Sequence, residues 1–203
     1  MPVPGIFEET PFDPRGAWWL RPMNPSPFIK PMHPKTMIAP ERNAIQKVIA
    51  AGWWGQPKVH GHRAQIHIPA DKSLECKVYN RQGRLHKERL SSGLESELRR
   101  IFTPKKDWNC IDAEWLKPQE KIFVFDFLKY EGALLDESSF AERYELIPKL
   151  YLSPHLSTLP VFKTTDACMN YLSSPLPDYI EGLVFRAANT KGFSDSAIVR
   201  CRV

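Results

Sequence analysis

The sequence predicts an α+β domain with mostly antiparallel sheets flanked by helices. Three observations carry that prediction. Several runs alternate apolar and polar residues with the period of a strand, most clearly 121–130. Two Ser-x-x-Glu signatures, Ser92/Glu95 and Ser139/Glu142, stand before helical apolar stripes. Short turn segments at 69–73 and 80–83 join strand-like runs closely enough for a hairpin.

Length and composition set the frame. The 203 residues, 42% hydrophobic and 25% charged, suit one domain with an appended arm. A chain of this size buries roughly 70% of its unfolded surface and needs no staple. The expected division is a Pro-rich arm, 1–40, and a domain, 41–203, because about half of the 19 prolines fall by Pro40. Proline supplies no ladder donor and favours extended backbone. The arm also carries Trp18, Trp19, Phe28 and Met32, so it is expected to lie irregularly across the domain surface. No apolar run approaches the ~20 residues of a membrane span. The first residues, MPVPGIFEETPFDP, have acids and prolines where a signal peptide has a basic start and an apolar centre. A cytoplasmic protein without a membrane partner is expected. Cys76, Cys110, Cys168 and Cys201 form no CxxC pair, which argues against a zinc knuckle or a redox motif. The net charge of +5 leans mildly toward a polyanionic partner.

From Glu41, the spacing of Ala44, Ile45, Val48 and Ile49 predicts a helix that Gly52 ends. Lys58 to Ile68 predicts one period-two strand, and Leu74 to Tyr79 its hairpin partner. Ser92 opens a helix with Leu94, Leu98, Ile101 and Phe102 on one face. Strands are expected at Asn109–Leu116 and Lys121–Tyr130, the second with Phe123, Phe125 and Phe127 on one face and Val124, Asp126 and Leu128 on the other. Ser139 caps a helix carrying Phe140, Tyr144, Ile147 and Tyr151, with Pro148 positioned to bend or break it. A short helix at Asp166–Leu172 and strands at Ile180–Ala187 and Ala197–Val203 complete the chain.

Lys58 is the leading candidate for chemistry. A strand lysine by itself is an ordinary solvated charge. A lysine that attacks phosphorus must lose its proton, and burial or neighbouring cations make that easier. Arg63 follows closely, arginines recur at 81, 186, 200 and 202, and Gly61 permits a close backbone approach.

Lys58-Val59-His60-Gly61-His62-Arg63 resembles motif I, KxDGxR, of the ligase and capping-enzyme nucleotidyltransferase superfamily. The rest follows in that family's order. Tyr79–Gly83 resembles its SRNG element, Ile111–Leu116 its motif III, and Phe123–Leu128 with Gly132 and Glu142-Arg143 the motif IIIa of ATP-dependent DNA ligases. Glu181–Arg186 is similar to motif IV, EGLVxK, and Ile198–Arg202 to motif V, KxK. The resemblance spans Glu41 to Val203 and implies a ligase-type nucleotidyltransferase, or adenylation, fold.

It also implies roles. Lys58 is the nucleophile that takes AMP from ATP. Gln56 and Val59 flank the nucleotide, Glu114 holds the ribose hydroxyls with Arg63, and Phe125 stacks on the base. Arg186, Arg200 and Arg202 line the triphosphate. Glu181 helps bind Mg²⁺, and Arg81 grips the 5′-phosphate of a nicked or broken nucleic acid, DNA ahead of RNA. Three departures accompany the match. His60 stands where DNA ligases carry Asp, as in some RNA ligases. Arginine replaces the lysines of motifs IV and V. The chain ends directly after motif V, and nothing in it matches the ligases' OB-fold domain, so a separate OB-fold or other protein partner is expected. The leading reading is an ATP-dependent polynucleotide ligase working through lysyl-AMP. A ligase-derived nucleic-acid-binding or structural protein without turnover comes second, and a capping-type guanylyltransferase third.

Overall fold

The computed structural model describes residues 27–148 and 154–203. Trp18, Trp19 and Tyr151 lie outside them, as does most of the arm. Ten strands and four helices are described: β1 (Thr36–Ile38), α1 (Arg42–Ala50), β2 (Trp53–Val59), β3 (His62–Pro69), β4 (Lys77–Tyr79), α2 (Ser92–Phe102), β5 (Trp108–Leu116), β6 (Lys121–Tyr130), β7 (Ala133–Leu134), α3 (Phe140–Glu145), β8 (Leu156–Thr158), α4 (Thr165–Ser173), β9 (Ile180–Ala187) and β10 (Ile198–Arg202). They build a four-stranded sheet, β1-β10-β9-β2, and a six-stranded sheet, β4-β3-β5-β6-β7 with β8 beside β6. Pairing is antiparallel except at β1/β10 and β6/β8, so the α+β, mostly antiparallel expectation holds.

Each sheet has its own core. Ile45 of α1 and Cys168 of α4 pack on Leu183, Phe185 and Cys201 of the four-stranded sheet. Leu94, Leu98 and Phe102 of α2, with Phe140 and Tyr144 of α3, pack on Ile66, Ile111, Val124 and Phe127 of the six-stranded sheet. Cys110, Cys168 and Cys201 are buried thiols and Cys76 is half-buried. Among the described residues, no helix is long and apolar enough to cross a membrane.

Several elements differ from expectation in instructive ways. The single strand expected over Lys58–Ile68 is two strands, β2 and β3, in different sheets. The chain crosses at His60-Gly61, where a Cβ on Gly61 would stand only 2.9 Å from the Trp115 carbonyl oxygen. Glycine is therefore required by close approach to β5. Alternation also fails in β6. Asp112 pairs with Asp126 but Ala113 with Val124, so Phe125 is an extra, bulged residue, and a second irregularity falls at Leu128. The bulge puts Phe127 in the core with Val124, while Phe125 joins Phe123, Val59, Leu116 and Leu159 in a separate cluster. α2 is capped by Ser91, one residue early, and Glu95 instead accepts from the Cys76 N–H (3.2 Å) and pairs with Arg99 (2.8 Å). The Ser139/Glu142 capping box is present as expected. Of the arm, residues 27–40 are described, and Thr36–Ile38 joins the four-stranded sheet as β1.

Candidate active site

Lys58 lies near the end of β2, at an irregularity in its pairing with β9. Pro57 opposes Leu183 and Val59 opposes Ile180, so Glu181 and Gly182 face one residue, Lys58. Gly182 makes this possible. Its φ is +127° and a side chain there would collide with the Cys201 carbonyl of β10. The distortion brings Glu181 Oε2 to Lys58 Nζ in a close ion pair. His60 Nδ1 reaches the other oxygen, Oε1, and Arg202 donates to Oε2 at 3.1 Å. Burial acts to raise the Glu181 pKa, but the hydrogen bond and charge of Lys58, aided by Arg202, outweigh it and hold the carboxyl below its ordinary value.

The facing wall belongs to the six-stranded sheet. Arg63 and Glu114 are directly opposed on β3 and β5. Arg63 nevertheless gives both arms of its guanidinium to Asp112, with Nε at 2.5 Å from Oδ1. Burial works against the Arg63 charge, and Asp112 overcomes it, so the pKa stays above the ordinary arginine value. Glu114 is left to accept the Gly61 backbone N–H, and burial pushes its pKa up to about 7, with Arg63 only partly offsetting. Arg63 and Glu114, both expected at the ribose hydroxyls, thus line the same wall, with Arg63 held by Asp112.

Behind these walls lies a buried ion cluster. Asp126 accepts two hydrogen bonds from Arg143 (2.9 and 3.1 Å) and one from Arg186 (3.2 Å). Arg143 also donates to the Ser138 carbonyl at 2.8 Å. Arg186 is 3% exposed, and burial lowers its pKa to about 10. Its Nε has no partner among the described residues. The guanidinium centres of Arg63 and Arg186 lie 4.7 and 4.9 Å from the Phe125 ring centroid.

A cavity of about 870 Å³ opens between the sheets. Gln56, Lys58, Val59, Arg63, Arg81, Glu114, Phe125, Arg186, Arg200 and Arg202 all line it, so nearly every residue singled out from the sequence converges on one space. Glu181 does not line it but touches it through Lys58 and Arg202. Gln56 is buried, and its Nε2 stands 3.5 Å from the Phe125 carbonyl oxygen. Arg200 has a buried Nε without a partner among the described residues. The lining holds nine lysine or arginine side chains against two carboxylates, Glu88 and Glu114. Such a volume suits a small molecule, and such a charge balance suits a polyanion.

Sequence reasoning missed Asp112, Asp126 and Arg143 as members of the site's framework. The signal was an acid at an inward strand position between apolar neighbours, Ile111-Asp112-Ala113 and Phe125-Asp126-Phe127. A buried carboxylate needs a cationic partner. Which arginine supplies it is not visible along the chain.

No protein-family model matches the chain, and no curated protein does. Solved structures match in fold. Mycobacterial DNA ligase D complexed with ATP and MES aligns with TM-score 0.51 and 14% identity over 82% of this chain. The ligase domain of M. tuberculosis LigD aligns with TM-score 0.51 and 16% identity over 81%. A Lig E DNA ligase aligns with TM-score 0.52 and 12% identity over 87%. The chain spans 59%, 57% and 70% of these proteins respectively. At such identities the likeness speaks for architecture: this chain shares the fold of these DNA ligase structures.

Proposed function

We propose that the domain binds ATP in the cavity between its sheets, transfers AMP to Lys58, and serves in sealing 5′-phosphate to 3′-hydroxyl ends of nucleic acid, with DNA ahead of RNA. The observation that carries this is the position of Lys58: its ammonium opens on a cavity rich in cations and touches one carboxylate, Glu181. In the adenylation step the Nζ proton leaves to solvent through the open cavity, and Glu181, whose carboxyl is held below its ordinary pKa, stays ionised. The lone pair forms an N–P bond to the α-phosphorus as the P–O bond to pyrophosphate breaks. Arg200 and Arg202 are placed to stabilise charge gathering on the leaving group. Glu114 meets the ribose hydroxyls, and Gln56, Val59 and Phe125 frame the base. Arg81 meets the phosphate of the end to be joined.

Mg²⁺ fits this arrangement as an ion carried on the nucleotide's phosphates. Among the described residues there is no group of three or more metal-ligating side chains, and Mg²⁺ commonly takes one or two carboxylates plus phosphate oxygens. Glu181 is the carboxylate at hand, and it becomes available once Lys58 is neutral. Bound there, the ion would neutralise phosphate charge. An OB-fold unit closing over the cavity would order the pyrophosphate opposite the lysine.

A second reading, a ligase-derived binding protein without turnover, draws on one observation: Arg186 is committed to Asp126 and not free for phosphate. Incubation with α-labelled ATP or GTP and Mg²⁺ separates the readings. An ATP-specific adduct that survives denaturation and vanishes in Lys58→Ala supports the ligase. Nucleic-acid binding with no adduct under any metal sinks catalysis, and a GTP-only adduct moves the assignment to capping.

A further inference from the structure

Residues 28–38 run from one sheet to the other, and His33 and Pro34 line the cavity between them. The crossing is anchored at both ends. On the six-stranded side the Ile29 N–H donates to Gln65 Oε1 at 2.9 Å, and Gln65 Nε2 donates back to the Ile29 carbonyl at 2.6 Å. Phe28 packs beside Tyr79, with ring centroids 6.0 Å apart. On the four-stranded side Asp195 accepts the His33 N–H at 2.8 Å and pairs with Lys35 at 3.1 Å, just before β1 joins β10.

Between these anchors, Arg81 Nη1 stands 3.4 Å from His33 Nδ1 and 3.5 Å from Nε2. Those near-equal distances decide the geometry. An in-plane approach equidistant from both ring nitrogens would drive the guanidinium nitrogen into the Cε1–H that lies between them. The Nη1–H therefore points at the face of the imidazole, across both ring nitrogens, and not along one in-plane lone pair. Burial, together with the Arg81 charge, holds the His33 pKa below its ordinary value, so at neutral pH the ring is uncharged and offers its face without repulsion. Arg81 itself sits on the 80–83 turn, which is fixed from within. Asn80 Oδ1 accepts the N–H groups of Gln82 (2.9 Å) and Arg84 (3.1 Å).

We propose that His33 is a positioning residue, a ring platform that holds the Arg81 guanidinium at the cavity for the 5′-phosphate of a nucleic-acid end. This rests on the reading of Arg81 given above. A long cationic side chain loses rotamer freedom when it grips a phosphate, and a ring contact that restrains it beforehand lowers that cost. The platform is useful only because residues 28–38 are tied to both sheets.

The test compares binding of the full chain, without ATP, to nicked duplexes bearing a 5′-phosphate or a 5′-hydroxyl. Its readout is the ratio of the two dissociation constants, with a melting temperature for each variant. Arg81→Ala is expected to bring the ratio close to one. His33→Ala is expected to reduce it about 2- to 5-fold, the range of an exposed cation–ring contact. His33→Phe, which keeps a ring face, restores it. Asp195→Ala, which loosens the backbone under His33, reduces it as His33→Ala does. A full ratio in His33→Ala, or a His33→Phe variant as weak as the alanine, overturns the platform while leaving the role of Arg81 intact. An unchanged ratio in Arg81→Ala overturns the phosphate role itself, and the platform with it.

Discussion

The cavity has a buried side and an exposed side, and both are built from arginine. On the buried side Arg143 and Arg186 share Asp126, and Arg63 is forked onto Asp112. On the open side Arg81 points an N–H at the His33 ring, Arg202 pairs with Glu181, and Arg200, half-buried with its Nε buried, has no ion-pair partner among the described residues. The difference teaches that charge type does not fix role. Out of water a guanidinium must spend its donors on protein carboxylates, because an unpaired buried charge is costly. At the surface it can stay unpaired and meet a ligand. The three arginines that line the cavity from β9 and β10 fall on both sides: Arg186 is tied to Asp126, whereas Arg202 meets Glu181 and Arg200 has no ion-pair partner among the described residues.

Four substitutions break or sharpen that contrast. The largest effect is expected from Asp126→Ala, which leaves two buried guanidinium groups without their carboxylate and should cost about 3–5 kcal/mol in denaturant unfolding. A loss below ~1 kcal/mol would mean that water reaches this side after all.

Next is Glu114, whose pKa of about 7 stands well above its ordinary 4.5. The folded domain holds that proton more tightly than the unfolded chain. The stabilisation is complete below about pH 4.5 and is lost as pH rises through 7, roughly 3 kcal/mol in all. Stability curves for wild type and Glu114→Gln should therefore converge in acid and separate toward pH 8, with the glutamine variant the more stable. Parallel curves would refute the shift.

Gly61→Ala forces a Cβ toward the Trp115 carbonyl and should destabilise by about 1–3 kcal/mol, read as a lower unfolding midpoint. Arg200→Met is the smallest in stability, within about 0.5 kcal/mol, because its charge has no protein partner to lose. Yet ATP affinity measured by calorimetry should fall about tenfold, the size of a charge-assisted hydrogen bond. A variant that melts early but binds ATP normally would place Arg200 with the buried set.

Much of this was legible along the chain. Periodicity located β5, β6, β9, α1, α2 and α4 closely, because each pattern reflects a face against one core, whereas α3 ends at Glu145, short of the expected Ile147. The residues that line the cavity were picked out by their likeness to one family's motifs. The break between β2 and β3 was not, because alternation runs unbroken through His60-Gly61 and only proximity to Trp115 shows why the chain turns. The Phe125 bulge was hidden for a similar reason. A strand's period reports its faces only while its register holds.

The sequence by itself determined the α+β class, the order of the longer elements apart from the β2/β3 break, and most of the side chains from Lys58 to Arg202 that meet at one cavity. Only the tertiary structure decided how they divide: Arg63 to Asp112 although Glu114 is opposite it, Arg186 to Asp126, Glu181 to Lys58. The physical reason is that a charge's partner depends on burial and on which neighbouring strand supplies the nearest opposite charge, and neither is a property of position along the chain.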